Sequence, residues 1–255
     1  MKISVLAGHG VSTAVLLNWL LQQGYRDIDL ILEAPQSRLS QLRKRARRQG
    51  WTRTFGQALF MALIVPLLRR ESAARRRELI AERGLNEQMP RLPQKLDVPS
   101  INDAAVPRRL RDYAPDIVLI NGTSILRAST LSATPAKFIN THVGLTPDSR
   151  GVHGGYWALW NKDARRFGST LHLVDEGVDT GGILAQIKIT PTARDNFASY
   201  PVLQQAAVLE PLMRLLEQLE NGEPLKPIPT PSEPGRQWSH PTLFEYLRGR
   251  FYGVR

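Results

Sequence analysis

The sequence contains no cysteine, and only 7% of its 255 residues are aromatic. The absence of cysteine excludes disulfides and any zinc or iron–sulfur site with thiolate ligands. Acidic residues are also few, with 23 of them against 34 lysines and arginines, for a net charge of +11. The most apolar stretch, residues 55–68, is shorter than the ~20 residues that cross a bilayer. The N-terminus is more typical of a first strand than of a signal peptide, so we expect a globular, cytoplasmic protein.

The positive charge is concentrated in one segment. Residues 43–78 contain 11 basic residues and 2 acidic ones. We predict a basic helical insertion over about residues 36–84, with Ser37 as the N-cap of its first helix. Three interpretations stay open. The insertion is a solvated pair of helices with residues 55–68 buried against the body, or a peripheral contact with an anionic membrane through residues 43–78. The third, a nucleic-acid contact, is less favoured because few aromatic residues lie between the arginines.

Elsewhere, short apolar segments alternate with segments of helical periodicity. The predicted strands cover residues 2–7, 28–33, 116–121, 137–140, 168–174 and 182–189. This alternation predicts an α/β, Rossmann-like fold with a mostly parallel sheet and helices on both faces. Residues 84–100, which contain three prolines, are predicted as a loop. We divide the chain into a domain of residues 1–220 and a C-terminal tail of residues 221–255.

Polar side chains gather where the predicted strand at residues 137–140 ends. Asn140 and His142 lie two positions apart, a spacing that puts both side chains on one face of a strand. Asp179 lies in a glycine-flanked loop and can reach the same edge, where open α/β sheets bind ligands. Acyl transfer to an amine needs a donor aimed at the oxyanion, which an Asn amide or a charged imidazole can supply, and a proton-transfer group, which suits histidine. A carboxylate beside the histidine would raise its pKa. Taken alone, such a pair is more often loop capping than catalysis.

A glycine-containing turn follows the first predicted strand. Gly8, Gly10 and Ser12 precede a predicted helix whose first N–H groups would suit a phosphate. Glu33 lies 23 residues after Gly10, near where dinucleotide sites place a ribose-binding carboxylate. A phosphate or nucleotide of the substrate, a nicotinamide cofactor and a plain strand–helix turn all stay open as interpretations.

Two longer segments contain the three candidate catalytic residues. They are NTHVGLTPDSRG at residues 140–151 and GSTLHLVDEGVDTG at residues 168–181. Together they resemble the folate-dependent formyltransferase family, which includes glycinamide ribonucleotide, methionyl-tRNA and sugar N-formyltransferases. The resemblance covers about residues 100–190, is weaker over residues 1–35, and does not extend to the insertion or the tail.

The resemblance implies transfer of a formyl group from 10-formyltetrahydrofolate to the amine of a small acceptor, without a metal. It assigns catalysis to Asn140, His142 and Asp179, with the first two polarising the formyl group. The folate pocket that it implies consists of Thr123, Ser124, Ile125, Leu126, Val174, Asp175, Glu176, Gly177 and Val178. As candidate acceptor-binding residues we add Gly8, Gly10, Ser12, Arg150 and Tyr156.

Three positions depart from the family pattern. A serine of the pattern is replaced by Gly144 in this sequence, a leucine by Thr146, and an aromatic residue by Ser149. None of them is a candidate catalytic residue. We therefore expect the chemistry to persist and the acceptor surface to differ.

Among acceptors, we favour an amino sugar on a nucleotide or lipid phosphate, or a related biosynthetic amine. Methionyl-tRNA is less favoured, because the family's tRNA enzymes carry a further C-terminal domain and about 35 residues follow the last long predicted helix. Two other interpretations stay open: hydrolysis of 10-formyltetrahydrofolate, and a nucleotide- or RNA-binding module that has kept the fold without the activity. A homodimer is also compatible with the sequence.

Overall fold

The elements of the fold follow from a computed structural model, which describes residues 1–229 and 235–255. The strands are β1 (Ile3–Gly8), β2 (Ile28–Glu33), β3 (Gln94–Val98), β4 (Ile117–Asn121), β5 (Lys137–His142), β6 (Ser149–Gly151), β7 (Gly168–Leu173), β8 (Ile183–Lys188) and β9 (Arg236–Trp238). The helices are α1 (Val11–Gln22), α2 (Arg38–Gln49), α3 (Trp51–Leu59), α4 (Val65–Glu71), α5 (Ala73–Glu82), α6 (Ala105–Tyr113), α7 (Ala128–Leu131), α8 (Gly154–Trp160), α9 (Tyr200–Glu220) and α10 (Leu243–Phe251). A π-helical turn (Phe60–Ile64) joins α3 to α4.

Seven strands form one mixed sheet in the order β3-β2-β1-β4-β5-β7-β8. The first five strands in this order pair in parallel. Strand β7 pairs antiparallel with β5 on one side and with β8 on the other. The apolar runs of β1, β2 and β4 are buried, because helices cover both faces of the sheet. Side chains of α1 and α9 pack on one face, and those of α6 pack on the other. The predicted α/β fold, with a mostly parallel sheet and helices on both faces, is confirmed.

The prediction of an unbroken loop over residues 84–100 is wrong, because this segment contains β3. The strand pairs in parallel with β2 at the edge of the sheet. An edge strand has a partner on one side only, and alternate residues of β3 such as Lys95 and Asp97 are exposed. It therefore lacks the apolar run that marks the central strands. The prolines of the segment flank the strand and do not interrupt it.

The order of the strands creates a crevice at the carboxyl ends of β1 and β4. The chain passes from β1 to β2 and β3 on one side, then crosses to β4 on the other side of β1. Such switch points are where open α/β sheets bind ligands. Gly8 and Gly122 allow the two strand ends to approach closely, since a Cβ atom on Gly8 would lie 2.5 Å from the carbonyl oxygen of Gly122.

The helices α2 to α5 occupy the segment that we predict as a basic insertion. Ser37 caps α2, because its side chain accepts a hydrogen bond from the Ser40 N–H at 3.2 Å. The helix from Trp51 to Glu71 is continuous and longer than the predicted apolar stretch. Among the residues that the structure describes, it alone has the length and composition of a membrane-spanning helix. Only one face of residues 55–68 is buried against the body, since Phe55 is 65% exposed.

The predicted tail packs back onto the domain. Of residues 221–255, residues 230–234 lie outside the described part of the chain. Strand β9 pairs in parallel with β6, and α10 begins with a capping box formed by Thr242 and Glu245. Tyr246 of α10 enters an aromatic cluster that also contains Phe60 of the insertion and Trp157 of α8. Insertion, body and tail therefore share one core.

We predict that Phe60→Ala lowers the free energy of unfolding by about 3–5 kcal/mol, the usual cost of removing a buried phenyl ring. Phe60 is fully buried, and its ring centroid lies 4.9 Å from that of Phe197 and 5.0 Å from that of Tyr246. Urea denaturation followed by circular dichroism measures the change. Phe55→Ala, five residues earlier on the exposed face, is the control and should stay within about 0.5 kcal/mol of the wild type. Equal effects of the two substitutions would contradict the packing of Phe60 in the aromatic cluster.

Candidate active site

Strand β5 carries the first two candidate catalytic residues. Asn140 and His142 both belong to β5, whose carboxyl end lies beside the end of β4. Their spacing puts both side chains on one face of the strand. On its other side β5 pairs with β7, so that Asn140 stands directly opposite His172. The antiparallel register thus brings a second histidine to the same place.

Asp179 reaches this group from the loop between β7 and β8. Its backbone is left-handed, with φ 52°, and its Oδ2 atom accepts a hydrogen bond from the Gly151 N–H at 2.9 Å. Its Oδ1 atom lies 3.4 Å from Asn140 Nδ2, 3.5 Å from His142 Nδ1 and 3.6 Å from His172 Nε2. The structure therefore brings Asn140, His142 and Asp179 together around one carboxylate oxygen.

The environment of His142 keeps its imidazole neutral. The Nε2–H donates to the carbonyl oxygen of Ser149 at 2.8 Å, which leaves Nδ1 facing Asp179. Burial lowers the pKa of His142 below its ordinary value of 6.5, and the nearby Asp179 only partly opposes this effect. The carboxylate of Asp179 raises this pKa, as the sequence predicts, but desolvation of the charged ring outweighs the ion-pair attraction, so the net pKa is lowered.

Asp179 itself remains ionised. Burial disfavours the charged carboxylate, but attraction to His172 and His142 in their protonated forms and the hydrogen bond from the Gly151 N–H outweigh it and lower the pKa of Asp179 below its usual value. An anion beside a neutral imidazole is an arrangement that can accept a proton on Nδ1 and stabilise the resulting imidazolium. The site can therefore take a proton from a reacting group.

His172 is a site residue that the sequence motifs did not single out. Its Nδ1–H donates to the Leu173 carbonyl at 2.7 Å, so its Nε2 is free to accept from Asn140 Nδ2 at 3.1 Å. The contact fixes the orientation of the Asn140 amide. The sequence signal for His172 is the T-x-H pattern at residues 170–172. This pattern lies in β7, two strands after Asn140 along the chain. Only the strand register shows that the two side chains meet.

The glycine at position 144 is explained by close packing around His142. A Cβ atom on Gly144 would lie 2.7 Å from the Ser149 carbonyl oxygen and 2.9 Å from His142 Nε2. A serine, the residue of the family pattern, would press on the hydrogen bond that these two atoms form. Glycine at position 144 therefore leaves room for the hydrogen bond between His142 and the Ser149 carbonyl.

One cavity, of about 380 Å³, opens on one side of these residues. It is lined by eight of the nine residues that we predict to bind folate, namely Thr123, Ser124, Ile125, Leu126, Val174, Asp175, Gly177 and Val178. Glu176 is exposed and does not line the cavity. Asn140, His142 and Asp179 also line the cavity, together with Gln237 of the tail. The cavity therefore extends from the two loops to the candidate catalytic residues.

A second cavity, of about 570 Å³, opens on another side of His142. The two cavities share Gly122, Thr141, His142 and Val143. Ser12, at the start of α1, lines the second cavity together with Arg69 and Arg76 of the insertion. His142 therefore lies between two cavities, one of which is lined by two positively charged side chains.

The glycine-containing turn borders a third cavity, of about 480 Å³, lined by Gly8 and by Lys44 and Arg45 of α2. Gly10 precedes α1 and has open space around it. Glu33 accepts hydrogen bonds from the backbone N–H groups of Ile101 at 3.0 Å and Ser124 at 2.7 Å. Both of its carboxylate oxygens are occupied within the fold, which disfavours the nicotinamide interpretation.

Two candidate acceptor-binding residues, Tyr156 and Arg150, line neither of the two cavities beside His142. Tyr156 is 1% exposed within the aromatic cluster. Its position after the motif therefore reflects packing of the ring in the core and not contact with an acceptor. The guanidinium of Arg150 donates to the carbonyl oxygens of Gly235, at 2.8 Å, and Val178, at 3.4 Å. Arg150 thus ties the tail to the loop of Asp179, and its role in acceptor binding stays a prediction.

Comparison with known sequences decides the family. The sequence model for formyl transferases matches residues 68–202, more than half of the chain. The chain belongs to the formyltransferase family. It is 34% identical over 157 residues to the methionyl-tRNA formyltransferase of Myxococcus xanthus strain DK1622, a match that covers 60% of this chain and 48% of that relative. This formyltransferase chain thus spans about half the length of the curated relatives it matches.

Solved structures share the formyltransferase fold. A phosphoribosylglycinamide formyltransferase from Anaplasma phagocytophilum superposes with a TM-score of 0.57 at 17% identity, over 94% of this chain and 99% of the other. An N-formyltransferase from Helicobacter canadensis, in complex with folinic acid and dTDP-3-aminofucose, superposes with a TM-score of 0.54 at 13% identity, over 93% and 71% of the chains. At these identities the likeness establishes the fold. The resemblance drawn from the sequence motifs is confirmed.

We predict that Asp179→Asn lowers the pKa of His142 further, because it removes a charge that favours the imidazolium. Asparagine suits the left-handed backbone at this position, so the loop should keep its conformation. Titration of the imidazole signals by NMR measures the change. Glu176→Gln removes the same charge from an exposed position in the same loop and should leave the pKa of His142 unchanged. A raised pKa in Asp179→Asn would show that the carboxylate does not stabilise the imidazolium.

Proposed function

We propose that this formyltransferase moves the formyl group of 10-formyltetrahydrofolate to the amine of a small acceptor that carries a phosphate. The observation that carries the proposal is the position of His142 between two cavities that meet at the shared residues of β5. A group transferase must hold its donor and its acceptor together within reach of its proton-transfer residue.

The cavity of about 380 Å³ suits the donor. Its volume falls in the usual range for small-molecule sites, about 300–1,000 Å³. Its lining residues come from the loops before Asp179 and after β4, the segments that the family resemblance implies for a pterin pocket. A solved protein of the same fold holds folinic acid. We assign the donor to this cavity on the strength of these three points.

The cavity of about 570 Å³ suits the acceptor. Arg69 and Arg76 contribute positive charge, and Ser12 lies at the N-terminus of α1, where helix N–H groups favour anions. Arg76 donates from Nη2 to Glu87 at 3.2 Å, while its buried Nε–H has no partner within the described part of the chain. A phosphate would use such donors. An amino sugar on a nucleotide or lipid phosphate therefore remains our favoured acceptor.

The residues divide the chemistry between them. The amine nitrogen attacks the formyl carbon, and the formyl oxygen becomes an oxyanion. The Asn140 amide, held by His172, donates to that oxygen through the hydrogen that otherwise makes the long contact with Asp179. Nδ1 of His142 takes a proton from the amine, and Asp179 stabilises the imidazolium. The bond between the formyl carbon and N10 then breaks, and N10 receives that proton, so tetrahydrofolate and the formamide are the products.

We predict that His142→Ala lowers turnover by about 10²–10⁴-fold, the usual contribution of a general acid–base residue. In the wild type, kcat/KM should be level above neutral pH and fall on acidification only below pH 6.5, because protonation of a base whose pKa is lowered occurs below its ordinary value. Formyl incorporation followed by mass spectrometry over a pH series measures both. A fully active His142→Ala with an unchanged melting temperature would contradict the mechanism.

The acceptor is tested by a screen with 10-formyltetrahydrofolate. The acceptors compared are amino-sugar nucleotides, glycinamide ribonucleotide and methionyl-tRNA, and one reaction contains no amine. Formamide formed only on a small phosphorylated amine supports the proposal. Formate released at the same rate without amine would indicate the hydrolase instead, and absence of folate binding in calorimetry would indicate a binding module. The cytoplasmic location and the homodimer stay predictions.

We predict that Arg69→Gln and Arg76→Gln each raise KM for the phosphorylated acceptor by about tenfold or more, through loss of a charge-assisted hydrogen bond. KM for the folate donor should not change, because neither residue lines the donor cavity. Arg70→Gln is the matched control, since Arg70 is exposed and does not line the acceptor cavity. Steady-state kinetics with each substrate varied in turn measures these values. Equal effects of all three substitutions would indicate long-range attraction without a binding site.

A further inference from the structure

The helix from Trp51 to Glu71 has two chemically different faces. Its inner face packs on the protein: Phe60 and Leu68 are buried in the aromatic cluster, and the Gln57 amide donates to the His240 carbonyl at 2.7 Å. Its outer face is apolar and exposed, and consists of Trp51, Phe55, Leu63 and Leu67. A helix of this length with one face held by the protein cannot be surrounded by lipid, so it lies on the surface.

Helix α10 presents a second apolar face beside the first. It is held against α3 by the ion pair of Arg53 with Glu245, at 3.0 Å. Its exposed residues Phe244, Leu247 and Phe251 recur at the spacing of one helix face, and Phe251 is 86% exposed. We call the outward apolar residues of both helices the amphipathic surface. Exposed apolar side chains clustered in this way mark an interaction site.

Positive charge surrounds the amphipathic surface. The exposed arginines of these helices and of the neighbouring α2 are Arg43, Arg47, Arg48, Arg69, Arg70, Arg248 and Arg250. Helix α2 contains no acidic residue. The acidic residues Glu71, Glu78 and Glu245 are each paired with an arginine from another part of the fold. The local excess of positive charge is therefore not neutralised by these side chains.

We propose that the amphipathic surface binds the face of a bilayer that contains anionic phospholipid. Aromatic and aliphatic side chains between arginines suit the boundary of headgroups and acyl chains, where the apolar groups insert and the arginines meet phosphate. A second copy of the chain fits less well, because it would bring two arginine-rich surfaces together. The proposal concerns where the protein lies and does not depend on the proposed activity.

Sedimentation with sucrose-loaded vesicles tests the proposal on the full chain. One vesicle set contains phosphatidylcholine alone, and the other contains one third phosphatidylglycerol. We expect the protein to sediment with the anionic vesicles and to remain largely in solution with the neutral ones. Binding should fall with added salt, since screening weakens the attraction. Absence of sedimentation with anionic vesicles at low salt would overturn the proposal.

Two double variants separate the apolar and the charged contributions. Phe55→Gln/Phe251→Gln removes two exposed rings, and we expect the partition coefficient on anionic vesicles to fall by about tenfold or more. Arg47→Gln/Arg48→Gln should lower it by a comparable factor, because each arginine near an anionic membrane contributes about fivefold. All four side chains are exposed, so circular dichroism should show unchanged folding. Wild-type binding in both variants would overturn the proposal.

Matched controls carry the same changes elsewhere. Arg108→Gln/Arg111→Gln removes two exposed charges from α6, and Met89→Gln/Ile228→Gln removes two exposed apolar side chains. Both controls should bind vesicles like the wild type, and losses equal to those of the test variants would overturn the assignment of the surface. Sedimentation velocity without vesicles provides the last arm. A wild-type dimer that Phe55→Gln/Phe251→Gln converts to a monomer would show that a second copy covers the surface and would overturn the proposal.

Discussion

The geometry of the site depends on the carboxylate of Asp179 and the partners that keep it ionised. One oxygen is held by the Gly151 N–H, and the other faces Asn140 and two imidazoles. A largely buried charge requires such partners, because leaving it unpaired in the protein interior is costly. The carboxylate therefore fixes the relative positions of β5, β7 and the loop that carries it. It also sets the polarity of the site, with an anion beside an imidazole that burial keeps neutral.

Segments outside the family motifs hold the Gly151 N–H in place against that carboxylate. Gly151 belongs to β6, which is paired with β9 of the tail. Trp238 of β9 stacks on Trp157 at 4.7 Å between ring centroids, and Trp157 donates from Nε1 to the Ser239 carbonyl at 2.8 Å. Trp157 in turn packs in the cluster that receives Phe60 of the insertion. The insertion and the tail are thus connected to the active site through one hydrophobic core.

Local patterns were sufficient for part of the site and misleading for another part. The two-residue spacing of Asn140 and His142 correctly predicted one face of a strand, because the pleat repeats every second residue. His172 was missed, because its place beside Asn140 is set by strand register. Tyr156 was assigned to substrate binding from its position near the motif, whereas its ring is buried. The edge strand β3 lacks the apolar run that predicts a buried strand, since alternate residues such as Lys95 and Asp97 face solvent.

By itself, the sequence determined the α/β alternation, the family and the three residues that converge at the end of β5. These properties are encoded in periodicity and in short motifs, which need only neighbouring residues. Tertiary structure alone decided that Arg69 and Arg76 line a cavity beside His142, and which face of the helix from Trp51 to Glu71 is covered. It also decided that burial would outweigh the carboxylate in setting the His142 pKa. Each of these depends on contacts and solvent exclusion between residues far apart in the chain, which no local pattern specifies.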